Sequence, residues 1–114
     1  MGCCLFAGLG QAPARQAMLK AGIANTTGAT TISKMCGSGM KAIMQGHDAI
    51  VAGSSNIVIS GGMESMTNAP HLLPSGRTGI KYGHGQIIDH MAKDGLEDAY
   101  EGGPMGIFAE LCAE

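Results

Sequence analysis

Aromatic and charged residues are scarce in this sequence. Among 114 residues there are no tryptophans, two tyrosines and two phenylalanines, so the chain lacks the stacking platforms of single-strand nucleic-acid binders. Charged residues make up 14%, well below the roughly 25% of an average soluble domain. The net charge is −2 and the basic residues are scattered, which excludes a nucleic-acid partner. The low charge indicates a piece that more chain or partner subunits normally cover.

Membrane-spanning and disulfide signals are also missing. No apolar run has the length of a membrane span, and the chain start lacks the basic residues of a signal peptide. The chain has four cysteines: Cys3, Cys4, Cys36 and Cys112. None of them forms a metal-binding C-x-x-C pair. We therefore expect free thiols in a reducing, cytoplasmic compartment and no membrane attachment.

The first half of the chain alternates between two kinds of segment. Residues 2–8, 29–35 and 56–60 are short apolar or β-branched runs, which predict strands. Residues 14–21 are rich in helix formers, and residues 40–52 carry apolar side chains at helical spacing. The resulting order of strand, helix, strand, helix, strand (βαβαβ) predicts an α/β fold with a parallel or mixed layered sheet.

Prolines and glycines interrupt this pattern in the second half. Residues 67–85 form a long excursion with little regular structure, and such loops in compact proteins are usually functional. Residues 86–93 predict a short helix, and residues 106–114 predict the start of another. We therefore expect two parts: an α/β core over residues 1–66 and a loop region over residues 67–114.

Cys36 stands between a predicted strand and a predicted helix. A helix N-terminus favours the thiolate form of a cysteine, and its unpaired N–H groups can stabilise an oxyanion. The small neighbours Gly37, Ser38 and Gly39 leave room for a bulky thioester. This arrangement suits covalent acyl transfer by Cys36, with Gly37 and Ser38 beside the substrate. A buried structural cysteine with glycines for close packing explains the local pattern equally well.

A dinucleotide-binding turn is a weaker interpretation of the same segment. Residues 37–42, GSGMKA, fit the G-x-G-x-x-A pattern between a strand and a helix. The acidic residue expected about 20 positions later would fall near Ile57 or Val58, which are apolar. The nearest acidic residue, Glu64, comes too late in the sequence.

Two longer motifs resemble the thiolase family. They are SKMCGSGMKA at residues 33–42 and SGGMESMTNAP at residues 60–70. Three further matches follow the family order: GLGQAPARQA from residue 8, DGLEDAY from residue 94 and MGIFAE from residue 105. The resemblance covers essentially the whole chain. It implies a thiolase-like layered fold, with part of the N-terminal half followed by the start of the loop domain.

The resemblance also implies a reaction. Thiolases condense two acetyl-CoA molecules to acetoacetyl-CoA or run the reverse thiolysis. Cys36 matches the nucleophile that accepts the acyl group, and Met105 matches a methionine that lines the acyl pocket. The implied partner is an acyl-CoA thioester, used as substrate, with no further cofactor. The loop over residues 70–85 resembles an oligomerisation loop, which implies a homo-oligomer, although a plain solvated loop fits as well.

The chain also departs from the family pattern. Pro104 stands where many members have a histidine, and Ser33 stands where an asparagine is common. The activating GHP-type histidine, the asparagine that holds a water and the CxGGG-type cysteine of the family's second half do not occur. Two hypotheses follow. One is a thiolase-type acyltransferase that is incomplete as a catalyst alone, and the other is a non-catalytic thiolase fragment with a structural or oligomerisation role.

Glu64 and the histidines carry the remaining expectations. Glu64 is either a structural carboxylate or a general base, and the resemblance favours a structural role near a subunit interface. His47 lies on the apolar stripe of a predicted helix, which predicts a core or interface position. The spacing of His71, His84 and His90 matches no standard site, so we expect no bound metal.

Overall fold

A computed structural model describes residues 1–113. The chain divides between Ser65 and Met66 into two compact units. The first contains the segment around Cys36, and the second contains the loop region and Met105. The assignment of residues 1–66 and 67–114 to a catalytic core and a loop domain stays a prediction.

Two helices form the framework of the first unit. Helix α1 spans Pro13–Lys20 and helix α2 spans Ser38–Val51. Pro13 occupies the first turn of α1, where its missing N–H is not needed for an intrahelical bond. After α1, Gly22 adopts a φ of 79°, a left-handed conformation that ends the helix. Both helices predicted for this unit are present, with boundaries shifted by one or two residues.

Two of the three predicted strands, residues 2–8 and 29–35, are reduced to isolated bridges, and residues 56–60 form no bridge to any other part of residues 1–113. Gly2 pairs in parallel with Ile32 on one side and with Gly62 on the other. The Gly2 N–H donates to the Gly61 carbonyl at 2.8 Å, and the Met63 N–H donates to the Gly2 carbonyl at 2.9 Å. The parallel arrangement agrees with the predicted βαβαβ order. Each of these pairings is a single bridge, so the described residues of this unit form no regular ladder.

Glycines bring α2 close to these bridges. A Cβ atom on Gly39 would lie 3.2 Å from the backbone nitrogen of Gly62. Further along α2, a Cβ on Gly46 would lie 3.0 Å from the Cγ1 atom of Val58. Because Gly39 and Gly46 have no side chain, the backbone of α2 can pack close to these neighbouring segments.

The buried face of α2 differs from the prediction. Its buried residues are Ser38, Ala42 and Gly46, spaced four apart, because the close backbone approach admits only small side chains. The apolar stripe predicted to face the core is instead exposed in this chain: Met40, Ile43, Met44, Ile50 and Val51. His47 on the same stripe has a 73% exposed side chain beside Asp48, so the core position predicted for it is wrong.

The second unit contains a short hairpin and a terminal helix. Strand β1, His71–Leu72, pairs antiparallel with strand β2, Ile88–Asp89, and a single 3₁₀ turn, Pro74–Gly76, follows β1. The helix predicted over residues 86–93 is wrong at its start, because Ile88 pairs with Leu72. A π-helical turn begins later, at Ala92–Leu96. Helix α3 spans Met105–Ala113, and residue 114 of the predicted helix lies outside the described residues.

Candidate active site

Cys36 lies in a tight turn directly before α2, and its side chain is exposed. The Gly37 N–H donates to the Lys34 carbonyl at 3.0 Å, and the Ser38 N–H donates to the Met35 carbonyl at 3.0 Å. Met35 has a φ of 48°, a left-handed conformation that costs an ordinary L-residue energy. The strained residue just before Cys36 reverses the chain so that the thiol stands at the start of the helix.

The hydroxyl group of Ser38 holds this turn closed. Its Oγ atom accepts a hydrogen bond from the Lys34 N–H at 2.9 Å and donates one to the Met35 carbonyl. The residue is only 4% exposed. Ser38 thus fixes Lys34 and Met35, the two residues that precede the thiol. The position beside the substrate expected for Gly37 and Ser38 stays a prediction.

Backbone donors next to the thiol are unused. Within residues 1–113, the N–H groups of Cys36, Gly39 and Met40 have no hydrogen-bond acceptor. Unpaired N–H groups at a helix N-terminus carry partial positive charge and point towards the preceding segment. An exposed thiol with free backbone donors of this kind has the components for attack on a carbonyl and for stabilisation of the resulting oxyanion.

Glu64 has a structural role in the first unit. Its carboxylate accepts hydrogen bonds from the Cys4 N–H at 2.8 Å and from the Leu5 N–H at 2.6 Å. The buried Cys3 thiol also donates to this carboxylate, with Sγ 3.6 Å from Oε1. Burial first, and then the negative charge of Glu64, raises the pKa of the Cys3 thiol. Of the two roles expected for Glu64, these bonds favour the structural one.

Met105 and three of the four histidines lie in the second unit. Met105 begins α3 and is 49% exposed, and its contribution to an acyl pocket stays a prediction. Sequence reasoning missed the pair formed by His90 and Asp94, whose Nδ1 and Oδ2 atoms are 2.6 Å apart. Their spacing of four residues, typical of neighbours on one helical face, was the available signal.

No helix within residues 1–113 is long and apolar enough to cross a membrane. The same part of the chain contains no cluster of three or more histidine, cysteine, aspartate or glutamate residues suited to a metal ion.

Comparison with known proteins identifies the family. The family described as "Thiolase, N-terminal domain" matches residues 1–114. This chain belongs to the thiolase family. Membership supports the interpretation of residues 33–42 as a thiolase motif over the dinucleotide-binding turn.

Curated relatives show the same affiliation along the full chain. The acetyl-CoA acetyltransferase of Schizosaccharomyces pombe is 51% identical over 114 residues, which are 100% of this chain and 29% of the relative. Acetyl-CoA acetyltransferase 2 of Arabidopsis thaliana is 53% identical over 110 residues, 96% of this chain and 27% of that protein. The chain thus spans less than a third of the length of these relatives.

A solved thiolase shares the fold. The crystal structure of the Acat5 thiolase from Ascaris suum, in complex with coenzyme A, matches with a TM-score of 0.91 and 44% sequence identity. The match covers 98% of this chain and 29% of that structure. The thiolase-like α/β fold predicted from the sequence is confirmed.

Proposed function

We propose that this chain provides the acyl-accepting nucleophile of a thiolase-type acetyl-CoA C-acetyltransferase. The observation that carries the proposal is the exposed Cys36 thiol at the start of α2, beside three unpaired N–H groups, inside a thiolase motif. The substrate class is an acyl-CoA thioester, as in the acetyl-CoA acetyltransferases that the chain resembles.

In the proposed step, the Cys36 sulfur attacks the thioester carbonyl carbon. A bond forms between the cysteine sulfur and the acyl group, the bond to the coenzyme A sulfur breaks, and the departing thiolate takes up the proton that Cys36 released. The unpaired Cys36 N–H stabilises the oxyanion of the tetrahedral intermediate. Catalytic turnover also needs the base and the acid that thiolases carry in their second half.

The test is the acetylation of the chain by acetyl-CoA, followed by intact-mass and peptide mass spectrometry. We expect one acetyl group on Cys36 and none on the equally exposed Cys112, which serves as an internal control. The Cys36→Ser variant should gain no thiol-linked acetyl group. Equal labelling of Cys36 and Cys112 would show ordinary thiol chemistry and contradict the proposal.

A second candidate is a non-catalytic thiolase fragment with a structural or oligomerisation role. It is favoured by the low charged fraction, 14%, and by the exposed apolar stripe of α2, because both indicate a surface that a partner covers. The two candidates differ in thiolysis of acetoacetyl-CoA by coenzyme A. We expect little or no turnover from the purified chain, because the missing base costs several orders of magnitude in rate. Acetylation of Cys36 without turnover would support an incomplete catalyst. The absence of both acetylation and turnover would support the fragment.

Self-association and a cytoplasmic location also belong to this proposal. The exposed apolar stripe of α2 provides a surface for association, and the four cysteines are free thiols, as expected in a reducing compartment. Sedimentation analysis tests the first point, because a homo-oligomer requires a mass that exceeds one chain.

A further inference from the structure

Lys34 lies in the same turn as Cys36. The Gly37 N–H donates to the Lys34 carbonyl at 3.0 Å, so residues 34–37 form one closed turn in which Lys34 is the first residue and Cys36 the third. Neighbouring Cα atoms are about 3.8 Å apart, so the Cα atoms of Lys34 and Cys36 are separated by at most about 7.6 Å. The turn therefore places an amine and the proposed nucleophilic thiol close together.

The Lys34 ammonium group has no ionic partner. Lys34 is exposed, and within residues 1–113 its side chain forms neither a salt bridge nor a hydrogen bond. The first 47 residues contain no aspartate or glutamate, and the first acidic residue, Asp48, lies beside His47. The amine can therefore move freely on its flexible four-carbon stem.

The backbone of the turn is held in place, in contrast to this side chain. The buried Ser38 hydroxyl accepts a hydrogen bond from the Lys34 N–H at 2.9 Å and donates one to the Met35 carbonyl. These bonds keep the base of the lysine side chain at a constant distance from the thiol. Because both groups belong to one chain, a reaction between them is unimolecular and gains the rate advantage of proximity.

We propose that Lys34 is a self-acetylation site, which receives its acetyl group from the Cys36 thioester. The inference rests on the proposed acylation of Cys36 by an acyl-CoA. The unprotonated amine of Lys34 attacks the carbonyl carbon of the thioester, and a bond forms between this carbon and the lysine nitrogen. The bond between the carbon and the Cys36 sulfur breaks, and the thiolate takes up the proton that the amine releases.

The products of this step differ from those of thiolase turnover. The acetyl group ends as an amide on Lys34, the positive charge of the side chain is lost, and Cys36 becomes a free thiol again. An amide is more stable than a thioester, so the transfer runs in one direction. Each chain would thus record its contact with acetyl-CoA as one acetyl-lysine beside the nucleophile.

Lys41 is a poorer acceptor than Lys34. It follows Cys36 by five residues and is half-buried in α2, where its N–H donates to the Gly37 carbonyl at 2.9 Å. Lys34 precedes the helix, is exposed and is separated from Cys36 by a single residue. We therefore expect the acetyl group on Lys34 rather than on Lys41.

The test follows one acetyl group after all acetyl-CoA has been removed. The chain is acetylated, passed through a desalting column and incubated at about pH 8.5, where more of the lysine amine is unprotonated than at neutral pH. Hydroxylamine cleaves thioesters but not amides, so the treated samples separate the two sites by mass. We expect the intact mass to stay constant while the acetyl group moves from Cys36 to Lys34, at a rate that is independent of chain concentration.

Variants and unmodified lysines provide the controls. With acetyl-CoA present, Lys34 should acquire acetyl groups at least about tenfold faster than the equally exposed Lys20 at the end of α1. Cys36→Ala should lower labelling of Lys34 to the level of Lys20. Lys34→Arg keeps the positive charge but cannot accept the group, so its Cys36 should be acetylated as before and should keep the acetyl group longer.

The outcomes separate this inference from the proposed function. Acetylated Cys36 that loses its group without labelling Lys34, or equal labelling of Lys34 and Lys20, would overturn the inference and leave the acylation of Cys36 intact. A transfer rate that rises with chain concentration would show exchange between chains and would also overturn it. If Cys36 is not acetylated at all, the proposed function fails, and the transfer to Lys34 fails with it.

Discussion

Gly2 packs against the backbone of Ser38 with no room for a side chain. A Cβ atom on Gly2 would lie 2.3 Å from the Ser38 carbonyl carbon, closer than non-bonded atoms approach. Ser38 is the first residue of α2 and holds the turn of Cys36, so this contact packs the start of α2 against the bridged segments.

We therefore expect Gly2→Ala to destabilise the first unit by at least about 2 kcal/mol, because rigid backbone rather than a movable side chain must yield. Urea unfolding followed by circular dichroism measures the change. Gly28→Ala is the matched control, since a Cβ there meets no atom within 4 Å, and its effect should stay within about 1 kcal/mol. Similar losses in both variants would contradict the tight contact at Ser38.

The sequence predicted the position of α2 better than its environment. Apolar spacing identified the helix, yet the buried face consists of Ser38, Ala42 and Gly46, while Met40 and Ile43 are exposed. Periodicity shows that a helix has an apolar stripe but not which surface receives it. That depends on backbone approach at glycines, which only the tertiary structure reveals.

For the strands and for the turn of Cys36, too, the sequence predicted the position of a segment better than its surroundings. Residues 56–60 have strand composition, but a ladder needs backbone partners, and within residues 1–113 their backbone groups make no hydrogen bond to another segment. The motif was sufficient to place Cys36 before a helix. The left-handed conformation of Met35 was not predictable, because a methionine adopts it only when the surrounding turn imposes it.

The Glu64 carboxylate provides a second prediction. Glu64→Gln keeps one acceptor oxygen but presents an N–H₂ group to the other donor, so the Cys4 and Leu5 amides no longer both find an acceptor. We expect a loss of about 1 kcal/mol in the free energy of unfolding, measured with urea. Glu101→Gln is the control, because Glu101 is exposed, and it should change stability by less than about 0.5 kcal/mol. A loss no larger than that of the control would contradict the role assigned to Glu64.

The Ser38 hydroxyl provides a third prediction. Ser38→Ala removes the acceptor of the Lys34 N–H and the donor to the Met35 carbonyl from a buried position. We expect a loss of about 1 to 2 kcal/mol and faster hydrogen exchange at the Lys34 amide. Ser54→Ala also deletes a hydroxyl that bonds to a carbonyl, that of Ala49, but at an exposed site, so its effect should be smaller. Unchanged exchange at Lys34 would show that the hydroxyl does not hold the turn.

The Cys3 thiol predicts how stability depends on pH. Burial and the charge of Glu64 raise the pKa of this thiol in the folded state above that of the unfolded chain. At a pH between the two pKa values, the Cys3 thiol keeps its proton in the folded state but has lost it in the unfolded state. The free energy of unfolding is therefore at its full value below about pH 8.5 and falls as the pH rises through the folded-state pKa.

Urea unfolding under reducing conditions, from about pH 8 to about pH 10, measures this slope. Cys3→Ala should flatten it, because the titrating group is gone. Cys112→Ala should keep it, because the exposed Cys112 thiol meets water in both the folded and the unfolded states. A slope that persists unchanged in Cys3→Ala would assign the alkaline loss of stability to another group. A slope that disappears in Cys3→Ala but persists in Cys112→Ala would show that the protonated Cys3 thiol contributes to the stability of the first unit.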